Sequence, residues 1–553
     1  MSRGITMNRR RFLQLAGIAA FTAGSFPRFL FAESTRPPNK ASPNFHPDVE
    51  IDLAAREGSM AILPGQETRI MKYHGSLVKG PEGAVKNIPG SYLGPVFNLR
   101  AGQKVRINFH NALAERSIVH WHGLHVPQNM DGHPMYDIVP GQTYVYEFEV
   151  RGRAGTFWYH SHAHERTGEQ VYKGLTGLIL VSDGEEQALR LPNGAHDIPL
   201  VIQDRSFDSQ NQLRYLGSMP ERMRGFLGDQ ILVNGRPDFM LPVLTRTYRL
   251  RLLNGSNSRI YKLAWSDGMP MTVIATDGGL LEEPVTRSYI TLAPAERIEL
   301  WVDFGKHKVG DELALRSLAF TGAVHVMGGE PQGMGMRGRH GDEGHGEHGG
   351  RGMMGGGGMG RDMMGGMMHQ GRLPLGSEFT VLKVRVEQAV NDDHVLLRRL
   401  STIPRYQIAE AENPNHPRVI KLRMEHMRWT LNGRTFLIEE AAPDEIIRLN
   451  TMQLIEFDNS HGDGHMMHLA HPMHFHEQPF QVVKREIDPD LKEQHKSLSG
   501  GFIDSGWKDT VLVMPGEKVT LLKRFDDFKG LYLYHCHNLE HEDQGMMRNF
   551  LVS

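Results

Sequence analysis

A chain of 553 residues, at about 100–200 residues per domain, is too long for one small module and has room for about three or four domains. With 62 Lys+Arg against 64 Asp+Glu the formal charge is −2, which is neither the basic footprint of a nucleic-acid binder nor an acidic tail, and no apolar run reaches the ~20 residues of a membrane-spanning helix. One Cys excludes an intrachain disulfide, while 30 His and 30 Met make a surplus of imidazole and thioether, the ligands of soft and borderline metals.

The first element is an address. Arg9, Arg10 and Arg11 stand directly ahead of Phe12 and Leu13, and an apolar stretch runs from Leu13 to Phe21. A charged region followed by a short apolar one is the layout of an export signal, and this one resembles the twin-arginine type that exports folded protein. The apolar residues run together instead of recurring on one face, which speaks against an amphipathic helix. Residues 1–32 are therefore expected to be removed, with cleavage between Ala23 and Ala32, and the mature protein to be periplasmic. In that oxidising compartment an unpaired Cys is a liability unless something holds its thiolate.

Past residue 45, short β-branched and aromatic runs alternate with Gly, Pro and Asn, as at Val105–Phe109, Thr143–Glu149, Tyr248–Leu253, Arg297–Val302 and Val519–Leu522. Many short strands at this spacing predict an all-β chain of sandwiches or barrels. One unit recurs: Pro140-Gly141-Gln142, Pro294-Ala295-Glu296 and Pro515-Gly516-Glu517 each lead into a strand. In the first and last copies a histidine pair follows, its first member 20 residues after the turn proline, His160 after Pro140 and His535 after Pro515. The middle copy reads Leu313-Ala314-Leu315-Arg316 at that place and carries no site.

Four segments hold His-x-His: His120-Trp121-His122, His160-Ser161-His162, His474-Phe475-His476 within a run that begins at His471, and His535-Cys536-His537. In a strand, residues i and i+2 share a face, so each pair presents two imidazoles on one side. Cys536 must then point the other way, where His471, His541 and Met546 are the unassigned candidates. Two imidazoles, a thiolate and a weak axial thioether describe a blue-copper electron-transfer centre. Zinc would suit the His and Cys ligands but has no redox chemistry and gives no reason for the flanking pairs.

These motifs, their order, and Gly506-Trp507-Lys508-Asp509-Thr510-Val511 ahead of the last one resemble the multicopper oxidases. The resemblance runs from residue 45 to the C-terminus. It implies three consecutive cupredoxin-like Greek-key β-sandwich or barrel domains at 45–183, 184–388 and 389–553. It also implies four copper ions: type 1 at His471, Cys536, His541 and Met546; type 2 at His120 and His474; and a type 3 pair held by His122, His160 and His537 on one ion and His162, His476 and His535 on the other. Electrons taken singly from a reducing substrate would pass through Cys536 to the cluster, where dioxygen becomes water. Glu542 and Asp131 match positions where similar enzymes keep a carboxylate for proton delivery.

Between Glu312–Phe320 and Glu378–Val386 lies a segment, about 327–371, dominated by Gly, Met and His, with Met353, Met354, Met363, Met364, Met367 and Met368 among its thioethers. The glycines leave nothing to pack methionine against, so a solvent-reachable thioether array is expected, and thioether prefers Cu(I). Similar Met-rich insertions mark the cuprous oxidase branch, where they fall in the third domain. Here the segment reads as an extension of a late hairpin in the second, and Met466 and Met467 stand ahead of His471 as a possible Cu(I) entry site. Three functions follow: a monomeric cuprous oxidase for copper tolerance, a laccase-like oxidase of phenols, aromatic amines or Mn(II), and a protein that only sequesters copper. None needs a nucleic-acid partner or a transmembrane helix.

Overall fold

Residues 39–326, 373–460 and 467–553 are described by a computed structural model, the side chains of Val326 and Met467 excepted. The export signal, the thioethers of the 327–371 segment and Met466 lie outside the described residues. Among the described residues no helix is long and apolar enough to cross a membrane.

The protein is all-β, as its strand punctuation predicts. Lys104–Ala112 shows why: Val105, Ile107 and Phe109 are buried on one face while Lys104 and His110 remain exposed, the period-2 alternation of a half-covered strand. Each apolar side chain so buried contributes about 1.5–3 kcal/mol.

Three pairs of sheets follow one another. The first joins a four-stranded sheet, with Val49–Met60 and Lys104–Ala112 at its centre, to a five-stranded sheet in which Val119–His122 edges Gly155–Ser161. The second is a seven-stranded and a five-stranded sheet between Asp197 and Gln388. The third is two five-stranded sheets, one of which carries Gly530–Cys536 between Met547–Val552 and His471–Phe475. The same parallel pairing recurs in all three: Val49–Met60 beside Lys104–Ala112, Asp197–Arg205 beside Thr247–Asn254, and Arg418–Glu425 beside Thr451–Asp458. The repeated turn is also one backbone shape, with φ of 81° at Gly141, 70° at Ala295 and 74° at Gly516. Ala295 holds this left-handed conformation at a cost on the order of 1 kcal/mol.

Each pair of sheets encloses its own apolar core, built from residues 49–181 in the first, mainly 200–386 in the second and 420–552 in the third. A small two-stranded sheet departs from this pattern. Val324–Val326, the last described strand before the Met-rich segment, pairs with Met467–Leu469, just ahead of His471, and not with a strand of the second pair. The strands that flank the segment, Glu312–Ser317 and Phe379–Gln388, pair antiparallel in the second pair of sheets, so the segment lies within a late hairpin there, as expected, and Val324–Val326 additionally reaches across to the strand ahead of His471. Strand spacing along a sequence reports order but not partner.

Candidate metal centres

Register brings the histidines together. His120 lies opposite His160 across Val119–His122 and Gly155–Ser161, and His474 lies opposite His535 across His471–Phe475 and Gly530–Cys536. Where the first and third pairs of sheets meet, these sets face each other. His120 stacks on His476 with ring centroids 3.9 Å apart, and His122 on His474 at 3.7 Å. The Nε2 atoms of His476 and His535 approach to 3.1 Å, and those of His162 and His535 to 3.4 Å. His537 closes the ring 5.1 Å from His122 and 5.3 Å from His160 by centroid. All eight rings are buried.

The buried atoms left without a partner say what the cluster is for. Nδ1 of His120 is held by the Asp131 carbonyl at 2.6 Å, that of His160 by Ser161 O at 2.8 Å and that of His474 by Asp509 O at 2.8 Å. In all three the opposite nitrogen, Nε2, is buried and has no hydrogen-bond partner. A ring fixed by one nitrogen while the other points into a shared space is the arrangement of a metal ligand. Burial pushes His120, His122, His474, His476 and His537 well below 6.5, and His160 and His162 to about 3 and about 4, so these rings are neutral, as coordination requires. His162, His476 and His535 form one set whose ligand atoms all lie within 4.8 Å of one another, and His120, His122 and His160 form another.

Cys536 turns to the other face, as strand parity demands. It lies in the third core with Met546 and Trp429, its Sγ 3.4 Å from His471 Nδ1 and 3.7 Å from His541 Nδ1. Burial pushes its thiol up, so a thiolate at this place needs a cation within bonding distance. Met546 is fully buried, and its carbonyl accepts from Cys536 N at 3.1 Å.

The two expected carboxylates are pushed in opposite directions. Burial, with the Glu477 charge, raises Asp131 well above the usual range, and its Oδ2 lies 2.7 Å from His476 Nδ1. Glu542 is also buried, yet His535, 3.1 Å away, and His162 outweigh that burial and hold it at about 2. Two carboxyls shifted in opposite directions thus flank one cluster.

Two features lay outside the motifs. Trp429, on the strand Arg428–Leu431, stands edge-on to His471 and packs on His541 at 4.6 Å, and its Nε1 donates to the Met223 carbonyl, which also lies 3.1 Å from His541 Nε2. From the silent second pair of sheets, Arg297 forks onto Asp509 at 2.7 and 2.5 Å, and Asp509 reaches His122 Nε2 at 3.1 Å. Gly123 leaves room for that pair, since a Cβ there would stand 2.5 Å from Asp509 Oδ2.

Family models described as multicopper oxidase match residues 70–186 and 410–553. The crystal structure of the McoA multicopper oxidase from Aquifex aeolicus is 32% identical, covers 92% of this chain and 97% of its own, and superposes with a TM-score of 0.71. The chain belongs to the multicopper oxidases. Other relatives of this multicopper oxidase are the multicopper oxidase mco of Staphylococcus aureus, 28% identical over 91% of this chain and 88% of its own, and the cell division protein FtsP of Sodalis glossinidius, 29% identical over 99% of each. The family implies copper, and the neutral buried imidazoles, their unpartnered nitrogens and the thiol between two histidines fit it.

Proposed function

We propose that this multicopper oxidase is an oxidoreductase that takes electrons singly from Cu(I), in the service of copper tolerance, and delivers four of them to dioxygen to make two waters. The carrying observation is that Cys536, gathered with His471 and His541, and His535, gathered with the other cluster histidines, face opposite ways from one strand, a peptide apart. His471, Cys536, His541 and Met546 would hold the type 1 ion; His120 and His474 the type 2 ion; His122, His160 and His537, with His162, His476 and His535, the type 3 pair. Copper so held supplies one-electron transfer at the first set and dioxygen reduction at the second. Glu542 would pass protons to the cluster, and Asp131 would orient His476 by accepting from its Nδ1. We read the three pairs of sheets as the three domains, and the protein as a periplasmic monomer exported by the twin-arginine route.

Cu(I) is favoured over phenols by the thioethers of residues 327–371 and by Met466 and Met467, a segment entered from the strand pairing beside His471. Oxygen uptake by the copper-loaded protein, with Cu(I) and with a phenol, each with and without residues 327–371, tests the reading. A selective loss of Cu(I) turnover on deletion is expected. Phenol turnover that exceeds Cu(I) turnover and is untouched by deletion would make the laccase-like reading correct, and no oxygen consumption at all would leave a sequestering protein.

A further inference from the structure

The short helix Leu539–Asp543 carries Glu540, His541 and Glu542 in succession, and a helix rotates about 100° per residue, so the three side chains leave in three directions. His541 faces Cys536, and Glu542 faces His535. Glu540 faces neither. It is buried, and both of its oxygens turn to loops of the second pair of sheets. Oε1 accepts from Tyr215 Oη at 2.7 Å and Asn257 Nδ2 at 2.8 Å, and Oε2 from Phe226 N at 3.0 Å and from Ser258 Oγ.

Adhesion alone gives no reason for this arrangement. Apolar packing would join the two surfaces without the cost of burying a carboxyl group. What four directed hydrogen bonds add is a fixed position.

The position so fixed is that of the type 1 ligands. Leu539 N donates to the Asn257 carbonyl at 3.2 Å. Asn538, at the head of the helix, donates from its backbone to Cys536 Sγ at 3.4 Å. Its side chain donates to the Arg224 carbonyl at 3.2 Å, and Ser258 Oγ stands 3.1 Å from its Oδ1. Gly225 makes room for that approach: with φ of 97° it closes the helix Met219–Arg224, and a Cβ there would stand 2.5 Å from Asn538 Nδ2. The same helix supplies the Met223 carbonyl, 3.1 Å from His541 Nε2. The sulfur of Cys536 and the ring of His541 are thus both referred to the second pair of sheets, and Glu540, between Asn538 and His541 in the chain, makes the largest share of the bonds.

We propose that Glu540 is a positioning residue for the type 1 copper: by mooring its helix to Tyr215, Phe226, Asn257 and Ser258, it fixes His541 relative to Cys536. The proposal rests on the type 1 assignment above and is independent of the reductant. The properties of a blue-copper site follow its ligand geometry and the hydrogen bonding around its sulfur. Partners that hold a ligand in place are worth about 10–100-fold in metal affinity. A helix released from its mooring therefore leaves a weaker and spectrally altered site.

The test is Glu540→Gln in the full-length, copper-loaded protein, a nearly isosteric change that turns an amide N–H toward groups that are themselves donors. Retention of the type 1 copper, read as blue absorbance lost against a graded copper chelator, should weaken about tenfold. The hyperfine splitting of that ion in the electron paramagnetic resonance spectrum should change with it, while metal analysis finds the histidine cluster still loaded. Tyr215→Phe deletes one donor at a half-buried residue and should move both readings the same way by less. It decides the matter alone where Glu540→Gln does not fold. A merely structural pin would lower the Tm of the copper-free variants and leave copper retention and spectrum as in the parent, and that outcome overturns the proposal. A loaded parent with no blue absorbance would instead overturn the type 1 assignment, and this role of Glu540 with it.

Discussion

Cys536 and Glu542 stand on neighbouring elements, yet their surroundings ask opposite things of them. The thiol is raised by burial among Met473, Met546 and Trp429, so it ionises only against a bound cation. Cys536→Ser should therefore abolish the blue absorbance of the loaded protein while copper still binds the histidine cluster, a result read by absorbance and metal analysis together. Glu542 is held ionised, at about 2, beside His535, so it faces the cluster as a charged carboxylate whose part in proton transfer can be tested by neutralising it. Glu542→Gln should leave the blue band intact and slow dioxygen reduction by roughly 100-fold, and an unchanged rate would remove Glu542 from proton transfer. Both residues are visible in the sequence as neighbours of a His-Cys-His motif. Trp429 and Met223 are not, because nothing in their own segments marks them; they matter only through contact with His541.

At the scale of elements, two strands far apart in sequence are clamped by buried ion pairs, Arg297 to Asp509 and Lys508 to Asp277 and Glu296. Arg297–Asp303 belongs to the second pair of sheets and Thr510–Val513 to the third, and the Arg297 fork onto Asp509 joins them beneath His122 and His474. Removing the cation strands a buried carboxylate, so Arg297→Met should cost about 3–5 kcal/mol in chemical unfolding of the metal-free protein. Arg297→Lys keeps the charge but loses the fork. It should fold and yet alter the electron paramagnetic resonance spectrum of the copper assigned to His120 and His474, whereas an unaltered spectrum would limit the pair to a structural role. The middle repeat thus has no histidine pair of its own but steadies those of its neighbours. Its sequence, Pro294-Ala295-Glu296-Arg297, reads as a turn copy, and the reach of its arginine into another sheet follows from tertiary packing alone.

Across the whole molecule, the buried imidazoles make the metal-free fold sensitive to acid. His160, His162 and His541 are driven by burial to about 3, 4 and 3, and His120, His122, His471, His474, His476 and His537 well below 6.5. In the unfolded chain these rings take up protons near 6.5, and in the folded protein only at lower pH. Below about 6.5 the unfolded state therefore binds more protons, and folding stability falls as pH falls, by up to about 1.4 kcal/mol per group per pH unit. Calorimetry of the copper-free protein should show a Tm that declines steadily from about pH 7 to about pH 5; a flat profile would mean that the rings are not buried neutral.

The sequence by itself determined the all-β class, the threefold turn, the four histidine motifs and the opposite facing of Cys536, because strand parity and residue spacing are local properties that survive without knowledge of partners. Tertiary structure alone decided which strands pair and what their faces meet. It set Val324–Val326 against Met467–Leu469, laid Arg297 under the histidine cluster, and moored Glu540 to Tyr215, Phe226, Asn257 and Ser258 beside His541. Those contacts join residues tens to hundreds of positions apart, and their energy comes from desolvation and packing between sheets. A linear pattern carries no record of either until the chain has folded.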